Sequence, residues 1–234
     1  KNFPDAEIDV LATSRNKDVY FGNKGIKKVI TIKLNPLSIL SFILKNIKKY
    51  DLAIDMEEYL NISAIISFFA GRQVVGYSHS SRAKLYDVKI KYNDKQHASQ
   101  AFLDLVRSLG IVCNFEKLPR LNFSKNDRNF VDKFLKNNGI KSGDFVVCVA
   151  PGAAESAKAR MWPYDRYAEL CDEVIAKHGA IIVFTGSLNE NELIGDIQKK
   201  MDSSGKTINA AGKLALSQLF CLIGKCDLFI GNDS

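Results

Sequence analysis

The chain has 234 residues, of which 46% are hydrophobic and 25% are charged, and its formal net charge is +7. This composition is typical of a globular protein with a sizeable core and excludes a largely disordered chain. The longest apolar run, residues 62–70, is far shorter than the roughly 20 residues of a membrane span. Because no signal peptide opens the sequence either, we expect a cytoplasmic protein.

The basic charge is concentrated in the first quarter of the chain. It comes from Lys27, Lys28, Lys33, Lys45, Lys48 and Lys49. An anionic partner would suit these residues, whether nucleic acid, a phospholipid surface or an acidic glycolipid, and solvated surface lysines explain them equally well. The sequence lacks the aromatic-interleaved basic motif of a nucleic-acid binder. Its five cysteines and three histidines are scattered without metal-ligand spacing, so we predict no disulfide framework and no metal site.

Short apolar strands alternate with helical segments through the first half of the chain. The strands are predicted at 8–11, 29–32, 51–55, 73–77 and 85–90, and the helices at 37–47, 60–69 and 97–109. This alternation is the signature of βαβ units and predicts a parallel, doubly wound sheet. The strand at 8–11 is reached almost at once, so we expect the chain to begin within a fold.

A change of composition at residues 111–126, with Pro119 and turn-forming residues, predicts a linker between a first domain, 1–118, and a second domain, 119–234. In the second domain, helices are predicted at 127–135, from 163, from 189 and up to about 225, and strands at 145–149, 180–184, 206–209 and 227–230. Asn189 is predicted to cap its helix, with Glu192 completing a contact like that of a capping box. No helix follows the last strand. Because a parallel strand needs helices on both sheet faces, we expect the second domain to be incomplete in this chain. We expect the same of the first domain, because the chain begins within its fold.

The stretch from Phe145 to Tyr167 is predicted to form a strand, a loop of small and basic residues, and a helix. Free backbone N–H groups and the positive end of a helix make such a junction suitable for an anion. Arg160 supplies a fixed cation with planar donors. The small residues leave room for backbone N–H groups to approach a phosphate; they are Gly152, Ala153, Ala154 and Ser156. The alternative is an ordinary α/β junction that binds nothing.

The ordered segments VAPGA, RMWP, TGSLNENEL, INAAGKLALSQL and CDLFIGNDS resemble the ADP-heptose:lipopolysaccharide heptosyltransferase family, glycosyltransferase family 9. The earlier YDLAIDMEEYLNISAIISFFAGRQVVGY resembles the first domain of that family. The resemblance implies an α/β fold of the GT-B type with two Rossmann-like domains, the first on the acceptor side and the second binding the donor nucleotide. It also implies a chain that lacks both termini of the family.

The implied reaction is inverting, metal-independent transfer of a heptosyl group from ADP-heptose to a lipopolysaccharide inner-core acceptor, with no cofactor. The implied partners are the nucleotide-sugar donor and an anionic glycolipid or sugar acceptor, with no nucleic acid. Peripheral contact with the inner membrane surface would fit a cytoplasmic enzyme of this kind. Two alternatives remain open: a glycosyltransferase that uses another nucleotide sugar, and a non-catalytic nucleotide-binding module.

The family pattern assigns donor roles to residues of the second domain. It places Arg160 on the diphosphate, although relatives have a lysine there, and Glu190 on the ribose hydroxyls. The backbone of Leu214 would face adenine, and Asp233 with Ser234 would open a loop onto the phosphates and sugar. An acid in the first turn of a helix is the alternative for Glu190. The catalytic base of the family is expected before the first residue of this chain, so no residue is assigned to it.

Acceptor-side candidates lie in the first domain. Asp55 and Glu57 follow a predicted strand, at the sheet edge where α/β proteins bind ligands. Tyr77, His79 and Arg82 form a polar loop in which an exposed aromatic ring, an imidazole and a guanidinium would grip an anionic sugar. The alternatives are acids that interact with a helix dipole and a mobile surface loop. The family usually has an amide at position 57, which weakens that assignment.

Overall fold

The computed structural model describes residues 3–114 and 120–232. The chain forms two compact units, Lys1–Arg120 and Leu121–Ser234. Each unit alternates parallel strands with helices, which confirms the predicted α/β class. The boundary between the units falls within the predicted linker at 111–126, although Pro119 itself lies outside the described residues.

Two parallel sheets form the first unit. Its strands are β1 (Asp9–Ala12), β2 (Lys28–Thr31), β3 (Tyr50–Ile54), β4 (Gly71–Tyr77) and β5 (Val88–Ile90), and its helices are α1 (Pro36–Lys45), α2 (Asn61–Ala70) and α3 (Ala98–Arg107). Strand β1 pairs with β2, and the second sheet has the order β3-β4-β5. Helix α1 begins where Asn35 accepts a hydrogen bond from the Ser38 N–H, with Pro36 at the first helical position.

Strand β4 lies at the centre of the second sheet, and its last four residues are buried. The ring of Tyr86 lies directly on Gly76, where an added Cβ would come within 2.5 Å of the ring. The predicted strand 85–90 is too long, because Ser81–Leu85 forms a 3-10 helix and only Val88–Ile90 pairs with β4. Helices α1 and α2 pack together through isoleucines that include Ile43 and Ile66.

One sheet of four parallel strands forms the core of the second unit. Its strands are β6 (Val146–Ala150), β7 (Ile181–Phe184), β8 (Thr207–Asn209) and β9 (Leu228–Gly231), and its helices are α4 (Lys125–Asn137), α5 (Tyr164–His178), α6 (Asn191–Lys200) and α7 (Leu216–Ile223). The strand order is β8-β7-β6-β9. Val147, Val149, Ile182 and Phe184 are fully buried, as expected for strands covered by helices on both faces.

Helix starts differ in detail from the sequence prediction. Helix α5 begins at Tyr164, with Pro163 as its N-cap instead of its first residue, and it ends at Gly179 in the left-handed conformation (φ +65°). Before α6, the residues Leu188–Glu190 form a 3-10 turn. The N-cap of this turn is Ser187, whose backbone N–H donates to Oε2 of Glu190. The N-cap of α6 is Glu190, so the predicted cap by Asn189 with Glu192 is wrong.

No helix in the described ranges is long and apolar enough to cross a bilayer. The cysteines are free thiols, and Cys148, Cys171 and Cys221 are buried in the second unit, where Cys171 and Cys221 belong to its hydrophobic clusters. They therefore contribute to the core as small apolar residues.

Candidate functional site

The carboxyl ends of β6 and β9 mark the point where the winding of the second sheet reverses. From β6 the chain moves outward through β7 to β8, and it then returns to place β9 on the other side of β6. Doubly wound sheets bind their ligands outside the carboxyl ends of the strands at such a point. The loop that starts at Pro151 follows β6, and Asn232 follows β9. The predicted anion loop therefore lies at the expected position of a ligand.

Glu190 lies against two glycines that follow β6 and β7. An added Cβ at Gly152 would be 1.4 Å from Oε1 of Glu190, and one at Gly186 would be 2.9 Å from Oε2. The same Oε2 accepts the backbone N–H of Ser187. The structure thus brings together two of the predicted donor residues, Gly152 and Glu190, which are far apart in sequence. Since a carboxylate offers about four lone pairs, most of its acceptor capacity remains for a ligand hydroxyl.

Asn232 holds the loop after β6 from both ends. Its Nδ2 donates to the carbonyl oxygen of Pro151, and its Oδ1 accepts the backbone N–H of Trp162 at 3.0 Å. An amide can bridge in this way because it carries both a donor and an acceptor. Sequence analysis missed this residue; its signal was a polar side chain directly after the last apolar strand.

The loop itself is more regular than predicted, because Glu155–Arg160 forms a 3-10 helix. Arg160 is its last residue and is exposed. Ala157 anchors the turn in the interior, whereas Ala154 is exposed and Ala153 is half-buried. Beyond the loop, the ring of Trp162 packs edge-on against Tyr167 with the ring centroids 5.1 Å apart. Three predicted donor residues lie outside the description: the side chain of Ser156, and Asp233 and Ser234.

The loops after β7 and β8 touch each other. The N–H of Gly212 donates to the carbonyl oxygen of Gly186 at 2.9 Å, and Gly212 adopts φ +68°. The side chain of Leu214 packs against a hydrophobic cluster of the second unit. The N-cap of helix α7 is Ala215, which has no capping side chain; Oε1 of Gln218 instead accepts the Ala215 N–H at 2.9 Å.

In the first unit, Asp55 and Arg82 form a buried ion pair. Nη2 of Arg82 lies 2.8 Å from Oδ2 of Asp55, and the two side chains are 0% and 3% exposed. Oδ2 also accepts the hydroxyls of Tyr86 at 2.6 Å and Ser63 at 3.0 Å. Burial alone would lower the pKa of Arg82, but the hydrogen bond with Tyr86 and the charge of Asp55 raise it above its usual value. Arg82 therefore lies in the interior of the first unit and not on a mobile surface loop.

The side chain of Glu57 organises the turn before α2. Its Oε1 accepts the backbone N–H groups of Glu58 at 3.0 Å and Tyr59 at 3.2 Å, and the N–H of Glu57 itself donates to Oδ1 of Asp55 at 3.1 Å. Its carbonyl oxygen accepts Nη2 of Arg82 at 2.6 Å. These contacts are structural and tie the loop after β3 to the loop after β4.

Four buried polar side-chain atoms in the described part of the chain have no hydrogen-bond partner. They are the hydroxyl of Tyr77, both ring nitrogens of His79 and Nη1 of Arg82. All belong to the three residues of the predicted polar loop. Buried polar groups in proteins are paired in the great majority of cases, so this concentration of unpaired donors indicates a place for water or for a ligand rich in acceptors.

Aromatic rings lie beside Tyr77 and His79. Tyr77 was predicted to be exposed but is 1% exposed and packs edge-to-face on Tyr92, with centroids 5.0 Å apart. The ring of His79 lies 5.8 Å from that of Tyr59 and 6.4 Å from that of Tyr92. Burial, with smaller effects from Tyr92 and Glu58, raises the pKa of Tyr77 to about 12, so its hydroxyl is a donor at neutral pH. Sequence analysis did not identify Tyr59, which follows Glu58, or Tyr92, which comes shortly after β5, because no local motif marks either residue.

No group of three or more His, Cys, Asp or Glu side chains that could hold a metal ion occurs within residues 3–114 and 120–232. Arg160 is the cation at the carboxyl edge of the second sheet that the sequence had assigned to a phosphate.

The family model of glycosyltransferase family 9 (heptosyltransferase) matches residues 43–234. The chain belongs to this family. The family and the class of enzyme predicted from the sequence, a glycosyltransferase of the heptosyltransferase type, are thereby confirmed at the level of the family. The order of the matching motifs had indicated it.

Individual relatives are distant. Lipooligosaccharide heptosyltransferase 2 of Haemophilus influenzae is 25% identical over 248 residues, covering 99% of this chain and 70% of the relative. A glycosyl transferase family 9 structure from Veillonella parvula has a TM-score of 0.84 at 19% identity and covers 97% of this chain. The chain spans 66% of that protein's length. The structure of Escherichia coli ADP-heptose lps heptosyltransferase II has a TM-score of 0.75 at 21% identity, covering 100% of this chain and 72% of its own. These likenesses confirm the predicted GT-B fold.

Proposed function

We propose that this chain transfers a heptosyl group from ADP-heptose to an inner-core acceptor of lipopolysaccharide, with inversion. The donor and the acceptor are supported by membership of family 9 and by two relatives, an ADP-heptose lps heptosyltransferase and a lipooligosaccharide heptosyltransferase. The observation that carries the proposal is the contact between Glu190 and Gly152 at the winding reversal of the second sheet. A hydrogen-bond acceptor and an open backbone meet there, as a nucleotide requires.

The donor would lie across the carboxyl ends of β6, β7 and β8. In this arrangement Arg160 neutralises the diphosphate, and the backbone N–H groups of Ala153 and Ala154 approach it where no large side chain intervenes. Oε1 of Glu190 accepts the ribose hydroxyls. The backbone of Leu214 faces adenine, because its side chain is held in the hydrophobic cluster. Ser156, Asp233 and Ser234 complete the proposed donor set.

The acceptor would be bound by the unpaired donors of the first unit. The hydroxyl of Tyr77, the imidazole of His79 and Nη1 of Arg82 can all donate to the oxygen atoms of an anionic sugar. Asp55 holds Arg82 in place, and Glu57 shapes the neighbouring turn, so these two acids support the site instead of touching the acceptor.

The chemistry needs an acceptor hydroxyl, a group that takes its proton, and positive charge for the departing ADP. Arg160 and the N–H groups at the helix starts supply the positive charge, which makes the reaction metal-independent in this proposal. No residue of this chain is assigned as the base. The acceptor is a glycolipid, so the enzyme works in the cytoplasm at the inner membrane surface.

Calorimetric titration of ADP, ADP-heptose, UDP and GDP tests the donor half of the proposal. We expect selective binding of the ADP compounds, weakened by more than about tenfold, or about 1.4 kcal/mol, in Arg160→Ala and in Glu190→Ala. Two controls match these changes: Lys141→Ala removes an exposed cation before the amino end of β6, and Glu192→Ala removes an exposed acid two residues from Glu190. Both controls should bind ADP as the unchanged chain does.

Preference for UDP or GDP would keep the fold and refute the donor, which favours another nucleotide sugar. Failure of every nucleotide to bind would refute the enzyme proposal. If ADP binds but the full-length gene product does not transfer heptose to an inner-core acceptor, the non-catalytic nucleotide-binding alternative replaces it.

A further inference from the structure

Helix α1 exposes a row of large apolar side chains. Leu37 is 81% exposed, Leu44 62%, Ile47 55% and Leu40 54%. Their spacing of three, four and three residues places them on one side of the helix and of the turn that follows it. The opposite isoleucines of α1, including Ile43, pack against α2. The row is therefore an apolar surface outside the core of the first unit.

The end of α2 continues this surface. The N–H of Lys48, the residue after Ile47, donates to the carbonyl oxygen of Phe69 at 2.7 Å. Nζ of Lys48 donates to the carbonyl oxygen of Phe68 at 2.7 Å and lies 4.7 Å from the centre of the Phe68 ring. Phe68 and Phe69 are 38% and 41% exposed. We call the residues Leu37, Leu40, Leu44, Ile47 and Phe68 the leucine face, and Lys48 places a positive charge within it.

A basic groove lies on the other flank of α1, between this helix and β2. Its lining includes four lysines, Lys28, Lys33, Lys45 and Lys49, and three hydroxyl residues, Thr31, Ser38 and Ser41. No carboxylate is among the lining residues. The sequence has the same bias, because residues 27–49 contain six lysines and no acidic residue. The groove therefore offers donors and positive charge to phosphate groups.

We infer that the leucine face and the basic groove dock the chain on a membrane of anionic phospholipid. An interfacial helix buries its apolar side chains at the boundary of the acyl chains, while flanking lysines extend their ammonium groups to the headgroups. Nucleic acid would pair with the lysines but would leave the leucines in water. The inference deepens the membrane contact of the proposed function and rests on that function only for the identity of the membrane.

Co-sedimentation with large vesicles tests the inference. We expect the chain to bind vesicles with about 30% phosphatidylglycerol and to bind pure phosphatidylcholine vesicles far more weakly, with the difference shrinking at high salt. The triple variant Lys33→Gln, Lys45→Gln, Lys49→Gln should weaken binding to the anionic vesicles by about 100-fold, since each cation near such a surface contributes about fivefold. Leu40→Ser with Leu44→Ser should weaken binding to a similar extent at any salt concentration.

A matched control removes the same charge elsewhere. The control is the triple variant Lys133→Gln, Lys136→Gln, Lys141→Gln, whose three lysines are exposed in the second unit. It should bind vesicles within about threefold of the unchanged chain. Equal loss in this control would overturn the inference, because net charge alone would then explain binding. Failure to bind both kinds of vesicle, the anionic one and the pure phosphatidylcholine one, would also overturn it. So would a dimer that dissociates in the Leu40→Ser, Leu44→Ser variant, because a second copy would then cover the leucine face.

Far-UV circular dichroism of each variant shows that it is folded, and the substituted side chains are all exposed. Nucleotide titration without vesicles is measured on the same preparations. If ADP fails to bind while anionic vesicles still do, the proposed function fails and the docking surface stands. If ADP binds normally and vesicles do not, only the docking surface fails.

Discussion

Replacing Arg82 by methionine would leave the carboxylate of Asp55 charged in the interior of the first unit. In the intact chain Nη2 of Arg82 bonds Asp55 at 2.8 Å, the carbonyl oxygen of Glu57 at 2.6 Å and the hydroxyl of Ser63 at 3.1 Å, and Nε bonds the hydroxyl of Tyr86 at 2.9 Å. Because removal of one partner from a buried ion pair typically costs about 3–5 kcal/mol, we expect Arg82→Met to lower the free energy of unfolding by about that amount.

Urea denaturation followed by far-UV circular dichroism measures this loss. The fluorescence of Trp162, the single tryptophan, follows the second unit separately. The control is Arg72→Met in the same unit, which breaks an exposed ion pair with Asp51 at 3.2 Å and should cost less than about 1 kcal/mol. If Arg82→Met destabilises the first unit no more than Arg72→Met does, the buried pair does not hold the loop after β4, and the reasoning is refuted.

Three further changes have outcomes that the structure fixes. Gly152→Ala should abolish ADP binding, because the added methyl group would meet the carboxylate of Glu190. The free energy of unfolding should change by less than about 1 kcal/mol, since the flexible side chain of Glu190 can move. A large drop in the denaturation midpoint would contradict this expectation. Gly195→Ala should raise the stability measured by thermal unfolding by about 0.5–1 kcal/mol, because the added Cβ meets open space inside α6. Lower stability would show a hidden clash. Hydrogen bonds from Ser124 hold the pKa of Asp127 below its usual value. The contribution of the Asp127 carboxylate to the stability of the folded chain is therefore complete above the unfolded pKa of about 3.9, and it is lost as the pH falls through the lower folded pKa. Asp127→Asn should thus lower the free energy of unfolding by about 1 kcal/mol at pH 7, and by progressively less in denaturation below pH 4.

The sequence predicts the order of strands and helices because the buried strands of a parallel sheet are continuous apolar runs. Strands β6 and β7 fall within one residue of the predicted positions for this reason. The 3-10 turns at Ser81–Leu85 and Glu155–Arg160 were missed, since short polar segments with i, i+3 hydrogen bonds have no apolar period. The predicted cap before α6 was misplaced because several neighbouring polar side chains could have capped the helix, and no apolar period distinguishes between them.

Residues of the candidate sites were predicted by type and position but not by partner. Asn232 bonds Pro151 and Trp162 across separations of 81 and 70 residues, and no local pattern reveals such a bridge. Similarly, Tyr77 was expected at the surface because it ends a strand beside polar residues, whereas Tyr92 covers it after β5. What the sequence lacks in both cases is the distance between segments that only sheet pairing brings together.

Parallel pairing explains why Asp55 and Arg82 meet although 27 residues separate them. Strand β3 pairs with β4 from Tyr50 to Ile54, and the N–H of Asp55 continues the ladder by donating to the carbonyl oxygen of Val75 at 2.8 Å. The residues that follow the two strands are therefore carried to one sheet edge, where an acid and a base of matching reach neutralise each other. The same geometry in the second sheet sets Glu190 beside Gly152, a residue that has no side chain to occupy the carboxylate. An acid that meets a base at such an edge becomes part of the scaffold, and one that meets a glycine keeps its lone pairs for a ligand, which is why we assign donor binding to Glu190 and support to Asp55.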